Sequence, residues 1–128
     1  MERPKKLSEA QYVSLETYRK SGKPVLTTVW VVEDAGTYYV RTGAKSGKVK
    51  RVRRDAHVRM APTNLRGHVI GEWEEGVARF VDAEQSGKIK ELFRKKYGLQ
   101  IRLLGLLARI MRSPQLNPVY LGIEITTH

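Results

Sequence analysis

Apolar residues fall along the chain in short blocks, set apart by glycines, prolines and charged turns. Ser8 and Gln11 stand at capping-box spacing, with Leu7 and Tyr12 placed as a hydrophobic staple. Ala10, Val13 and Tyr18 follow at rough helical spacing, so the first block predicts a helix closed by Gly22. Val25 to Val32 is β-branched and almost unbroken, the pattern of a strand buried on both faces. Glu33 to Gly36 is a turn and Thr37 to Thr42 a second strand, which together predict a hairpin. After a glycine-bearing loop, Gly43 to Gly47, a short basic helix is expected from about Lys48 to Arg54, anchored by Val49 and Val52. His57 to Pro62, Gly67 to Trp73 and Val77 to Val81 read as strands, the last two joined near Glu75 and Gly76.

The remaining pattern is helical until near the end. Ile89, Leu92, Phe93 and Tyr97 mark one helix, closed by Gly98, and Leu99, Leu103, Leu106, Leu107 and Ile110 mark another. Pro114 and Pro118 bracket a loop, and Val119 to Ile125 forms a last strand. Helices at the edges of mostly antiparallel strands predict a small α+β barrel. No repeat or linker interrupts the 128 residues, so one domain, 1–128, is expected.

Composition narrows the chemistry. With no cysteine there is no disulfide, thiolate metal site or cysteine nucleophile. The three histidines lack metal-binding spacing, so no metal is expected. The charged opening residues are followed by no signal-like core, and no apolar run reaches the ~20 residues of a membrane span. A cytoplasmic protein is the expectation. Lys plus Arg total 24 against 13 acids, a net charge of +11, which points to a polyanionic partner: nucleic acid, an acidic membrane surface or a phosphorylated cofactor.

That charge is concentrated. Between Arg41 and Arg54 lie seven of the 24 basic residues and no acid. Ser46 and Gly47 stand where a helix begins, and free N–H groups together with the helix dipole favour phosphate there. Lys48 and Arg51 share a helical face, and Thr42 ends the preceding strand with a hydroxyl. These parts make a phosphate cradle that is neither a Walker loop nor a Gly-x-Gly-x-x-Gly turn.

The succession Pro24-Val25-Leu26-Thr27-Thr28-Val29-Trp30, Tyr39-Val40-Arg41-Thr42, Ser46 to Val58 and Gly76-Val77-Ala78 resembles the pyridoxamine 5′-phosphate oxidase-like superfamily. More narrowly, it resembles the short subfamily of coenzyme F420 (deazaflavin)-dependent enzymes. The resemblance spans about residues 8–126. It implies a six-stranded antiparallel split β-barrel of the FMN-binding type with flanking helices, which dimerises with the cofactor at the interface. It maps the cofactor ring onto Leu26, Thr27, Thr28 and Val29, and the phosphate onto Thr42, Ser46 and Lys48. Arg41, Lys45 and Arg51 join this set on charge and position. Gly47 stands where many flavin-bound oxidases carry a second basic residue.

An oxidoreductase passing hydride from F420 to a small molecule is therefore the first expectation, with FMN the alternative cofactor. The extended positive charge suits the longer polyanion, F420 with its polyglutamate tail. No catalytic side chain is assigned, since in such enzymes the cofactor does the chemistry and the protein orients it. The rival classes are a non-catalytic flavin, deazaflavin or tetrapyrrole binder and a basic nucleic-acid module. The cations are not interleaved with aromatics as a nucleic-acid stacking platform requires, so no nucleic-acid partner is expected. Trp30 and Trp73 could stack on a ring, but tryptophan in a strand is more often core. The serines have no His–Asp partnership, and the helix from Leu99 to Met111 reads as barrel or interface cover rather than a membrane-surface helix.

Overall fold

The computed structural model describes residues 6–44, 46–111 and 118–126. Six strands close into one antiparallel barrel: β1 (Tyr12–Tyr18), β2 (Pro24–Asp34), β3 (Thr37–Gly43), β4 (His57–Thr63), β5 (Glu74–Phe80) and β6 (Pro118–Ile125). Around the barrel they run β1-β2-β3-β6-β5-β4, and β4 pairs back onto β1. Helix α1 (Gly47–Arg54) follows β3, and α2 (Ala83–Met111) joins β5 to β6. This is the expected α+β barrel with flanking helices. Among the described residues no helix is long and apolar enough to cross a membrane.

The opening helix is not there. A single 3-10 turn, Leu7–Glu9, leads directly into β1. Its cap is the Lys6 N–H donating to Glu9 Oε1 at 3.2 Å, not the Ser8–Gln11 box. Along β1, Val13, Leu15 and Thr17 are fully buried, and this spacing of two places them together inside the barrel. Two-residue periodicity outweighs the weaker helical one. Gly22, with φ +87°, turns β1 back into β2 instead of capping a helix.

Two other expectations change. Residues 67–73 form a loop holding only an isolated bridge, Thr63 to Val69, after a turn tied by the Asn64 side chain. Glu75 and Gly76, expected as a turn, lie inside β5. Gly76 faces Ile125, and a Cβ there would lie 2.8 Å from the Glu124 carbonyl oxygen, so close strand approach explains the glycine. The β2–β3 hairpin forms as expected. Asp34 pairs with Thr37 across Ala35 and Gly36, both at positive φ, which suits the twist of a tight hairpin.

The barrel interior is filled by Val13, Leu15, Val29, Val31, Val40, Val58, Met60, Leu121 and Ile123, and Val52 of α1 packs into the same cluster. A second core lies under α2, where Ile89, Phe93 and Tyr97 cover Val32, Tyr39 and Tyr120. The helical run breaks at Tyr97 (φ −121°, ψ 21°), one residue before Gly98, so the expected division into two helices survives as a kink.

Candidate cofactor cleft

β2 has more residues than any one neighbour pairs with. Pro24 to Trp30 ladder with β1, whereas Val31 to Asp34 ladder with β3. Beyond Val40, residues Arg41 to Gly43 of β3 pair only with β6. The two strands therefore part at Trp30 and Arg41, and this parting is the split in the barrel. β2 is accordingly not buried on both faces as expected: Leu26 is 55% exposed and Thr28 is exposed.

A cleft of about 290 Å³ opens at the split, lined by Tyr12, Thr28, Val29, Trp30, Arg41, Thr42, Gly43, Lys48 and Leu65. It gathers five of the sequence-predicted site residues: Thr28, Val29, Arg41, Thr42 and Lys48. Ser46 adjoins it, its hydroxyl 3.0 Å from that of buried Thr42. Ser46 is the residue before α1 begins, yet its side chain makes no cap to the helix backbone. Thr42 holds that hydroxyl aside, and the first N–H groups of α1 lack this usual side-chain partner.

Lys48, the second residue of α1, is half-buried. Burial lowers its pKa from the usual 10.5, and the neighbouring Arg51 charge adds to the effect. A lysine taken partly out of water beside another cation is electrostatically incomplete, and an anion in the cleft would complete it. Arg51 does not line the cleft. Its Nε donates to Thr17 Oγ1 at 2.7 Å, and its guanidinium lies across Gly47, where a Cβ would meet Nη1 at 2.6 Å. The room left by the missing side chain at position 47 is thus taken by a cation from the next turn. Leu26 and Thr27 fall outside the cleft, Thr27 placing its Oγ1 3.4 Å from the Leu15 carbonyl. Lys45 lies outside the described residues.

The sequence reading missed Tyr12, Gly43 and Leu65, and gave Trp30 to the core. Tyr12 pairs with Trp30, a relation hidden while the first element was taken for a helix. The half-buried Trp30 stacks on Tyr97, centroids 4.7 Å apart and planes within 7°, with the Arg41 guanidinium 5.8 Å over its ring. Tyr97 is anchored in turn. Its Oη lies 2.6 Å from the Gln11 carbonyl and 2.9 Å from that of Val31, and it accepts the Val31 N–H at 3.1 Å. Lys96 donates to the carbonyls of Ala10 and Val31, both at 2.7 Å. Together they satisfy the edge of β2 that β1 no longer reaches.

No family model matches the chain, and no curated protein matches it. Solved structures do. The heme storage protein HutZ from Vibrio cholerae is 15% identical with a TM-score of 0.70, covering 94% of this chain and 84% of its own. An F420 reductase is 15% identical with a TM-score of 0.61, covering 99% of this chain and 96% of its own. A candidate pyridoxamine 5′-phosphate oxidase from Listeria innocua is 16% identical with a TM-score of 0.55, covering 91% and 85%. The chain has the split-barrel fold of these structures. At these identities the likeness is one of fold.

Proposed function

We propose that the protein is an oxidoreductase that binds a phosphate-bearing flavin-type cofactor in the cleft, coenzyme F420 first and FMN second, and passes hydride to a small molecule. The observation that carries this reading is the meeting of desolvated Lys48, Arg41 and the start of α1 with the open edge of β2. The donor set fits the group: Lys48, Thr42, Ser46 and the first N–H groups of α1 would hold a phosphate, and Thr28 and Val29 would border the ring. When bound, the cofactor supplies the two-electron hydride chemistry. The chain's part is to hold the anion, fix the ring along β2 and exclude water with Leu65 and Trp30. No side chain is assigned a proton transfer.

F420 is ranked above FMN because the cations extend beyond one phosphate's needs. Arg51 and the exposed Arg53 and Arg54 follow the cradle along α1 and would meet an acidic tail. The likeness to a protein described as an F420 reductase agrees with this ranking. The likeness to a heme storage protein favours a second reading, non-catalytic tetrapyrrole binding. Against it, no histidine, cysteine or methionine is among the residues lining the cleft, so the iron would lack its commonest ligands there.

We further propose a homodimer that closes the cleft. Leu65, 76% exposed, lies at its rim, with Val69 and Ile70 exposed on the same loop and Leu26 on β2. A second copy would cover these residues and leave the cofactor at the interface. Turnover tests the enzymatic part: with reduced F420 and a panel of quinone-like and unsaturated acceptors, the cofactor absorbance should change at a rate proportional to protein. Stoichiometric binding without turnover on any acceptor would leave a carrier instead of an enzyme.

A further inference from the structure

Trp30 and Arg41 face each other one step beyond the last β2–β3 pair, Val31 with Val40, at the point where the strands part. The Arg41 guanidinium rests over the Trp30 ring, and Trp30 is braced on Tyr97. Tyr97 is fully buried at the kink of α2 and is fixed through its hydroxyl to the backbones of Gln11 and Val31. Among the described residues Arg41 has no ion-pair partner, so its orientation comes from the indole and not from a carboxylate. A free arginine loses much rotamer freedom when it grips a ligand, and a guanidinium already resting on an aromatic face loses less.

We infer that Arg41 is a second anion-reading cation of the cleft beside Lys48, and that Trp30, braced by Tyr97, is the positioning residue that holds it over the split. The inference rests on the proposal that a charged flavin-type cofactor occupies the cleft. It makes the kink of α2 part of the cofactor site without any contact between α2 and the ligand. It also gives Trp30 a task other than stacking on the cofactor ring, since its neighbours are Tyr97 and Arg41.

The test compares each cofactor with its phosphate-free parent: F420 with its deazaflavin nucleoside, and FMN with riboflavin. Titrations are run in Trp73→Phe protein, where Trp30 is the sole tryptophan. The quantity read is the ratio of the two dissociation constants, the preference for charge. Arg41→Gln should lower the preference about tenfold. Trp30→Met should lower it by nearly as much, and Trp30→Phe, which restores an aromatic face, should return it to within about threefold of the parent. The double variant Arg41→Gln, Trp30→Met should lose no more than Arg41→Gln alone, because the two residues act as one unit.

An unchanged preference in Arg41→Gln overturns the inference outright. That variant leaves the aromatic core intact, so the test stands even if Trp30→Met fails to fold. A full preference in folded Trp30→Met, with loss in Arg41→Gln, overturns the positioning role. A parent that binds charged and uncharged forms equally overturns the inference while the functional reading stands. A parent that binds neither charged compound defeats the functional reading and takes the inference with it.

Discussion

Lys48 and Lys50 are two residues apart on α1 and differ in almost everything that matters for binding. Lys48 lines the cleft and is half-buried, while Lys50 is exposed. Lys48→Ala should therefore weaken F420 or FMN binding by ~1.5–3 kcal/mol, about one to two orders of magnitude, and Lys50→Ala should change it little. Equal losses would mean that only bulk charge matters. The pH dependence follows from the same residue. Burial lowers the Lys48 pKa, and an anion favours its protonated form, so affinity should fall as pH rises toward 10.5 and before it gets there. Lys48→Arg should remove that fall. Titrations across this range check both. Residue types at the cradle were legible in sequence because charge, hydroxyl and glycine spacing are local. What Gly47 does was not: the space its missing side chain leaves is filled by Arg51 from the next turn.

Element by element, the β-branched block of β2 and the hairpin turn could be read directly, and so could the buried stripe of Ile89, Phe93 and Tyr97 on α2. β1 could not, because capping-box residues at Ser8 and Gln11 sit by coincidence ahead of a short amphipathic strand. Gly76 misled in the same way, since a glycine needed for close strand approach looks like a turn glycine when its partner is 49 positions away in β6. The partner change of β2 is a tertiary event with no local signature. The clamp that Tyr97 makes across that change can be tested alone. Tyr97→Phe keeps the ring stack but leaves the backbone of Val31 and Gln11 short of a partner. It should cost about 1–3 kcal/mol in denaturant unfolding, and an unchanged midpoint would show that the clamp holds nothing. Burial pushes the pKa of this hydroxyl up to about 12, so its contribution should persist across ordinary pH.

At the scale of the whole molecule the barrel order β1-β2-β3-β6-β5-β4 explains why one cleft gathers residues from β1, β2, β3, α1 and the loop after β4. The same topology leaves an apolar rim. Light scattering at micromolar concentration should give twice 14.6 kDa, and a mass near 14.6 kDa would remove the proposed dimer. The count of six strands was anticipated, although one member differed: residues 12–18 replaced 67–73. The resemblance between segments fixed the fold more firmly than periodicity did, because it uses the order of several blocks at once. Which cofactor occupies the cleft is the central claim, and charge separates the candidates. The most direct measurement is a pair of fluorescence titrations, F420 and FMN, each at low and high salt. F420 should bind more tightly, gain affinity with tail length and lose that gain at high salt, because exposed tail contacts are screened over ~8–10 Å. FMN should bind more weakly with a shallower salt dependence. Tighter binding of FMN, or no effect of tail length, would contradict the account and make the cleft an ordinary flavin site.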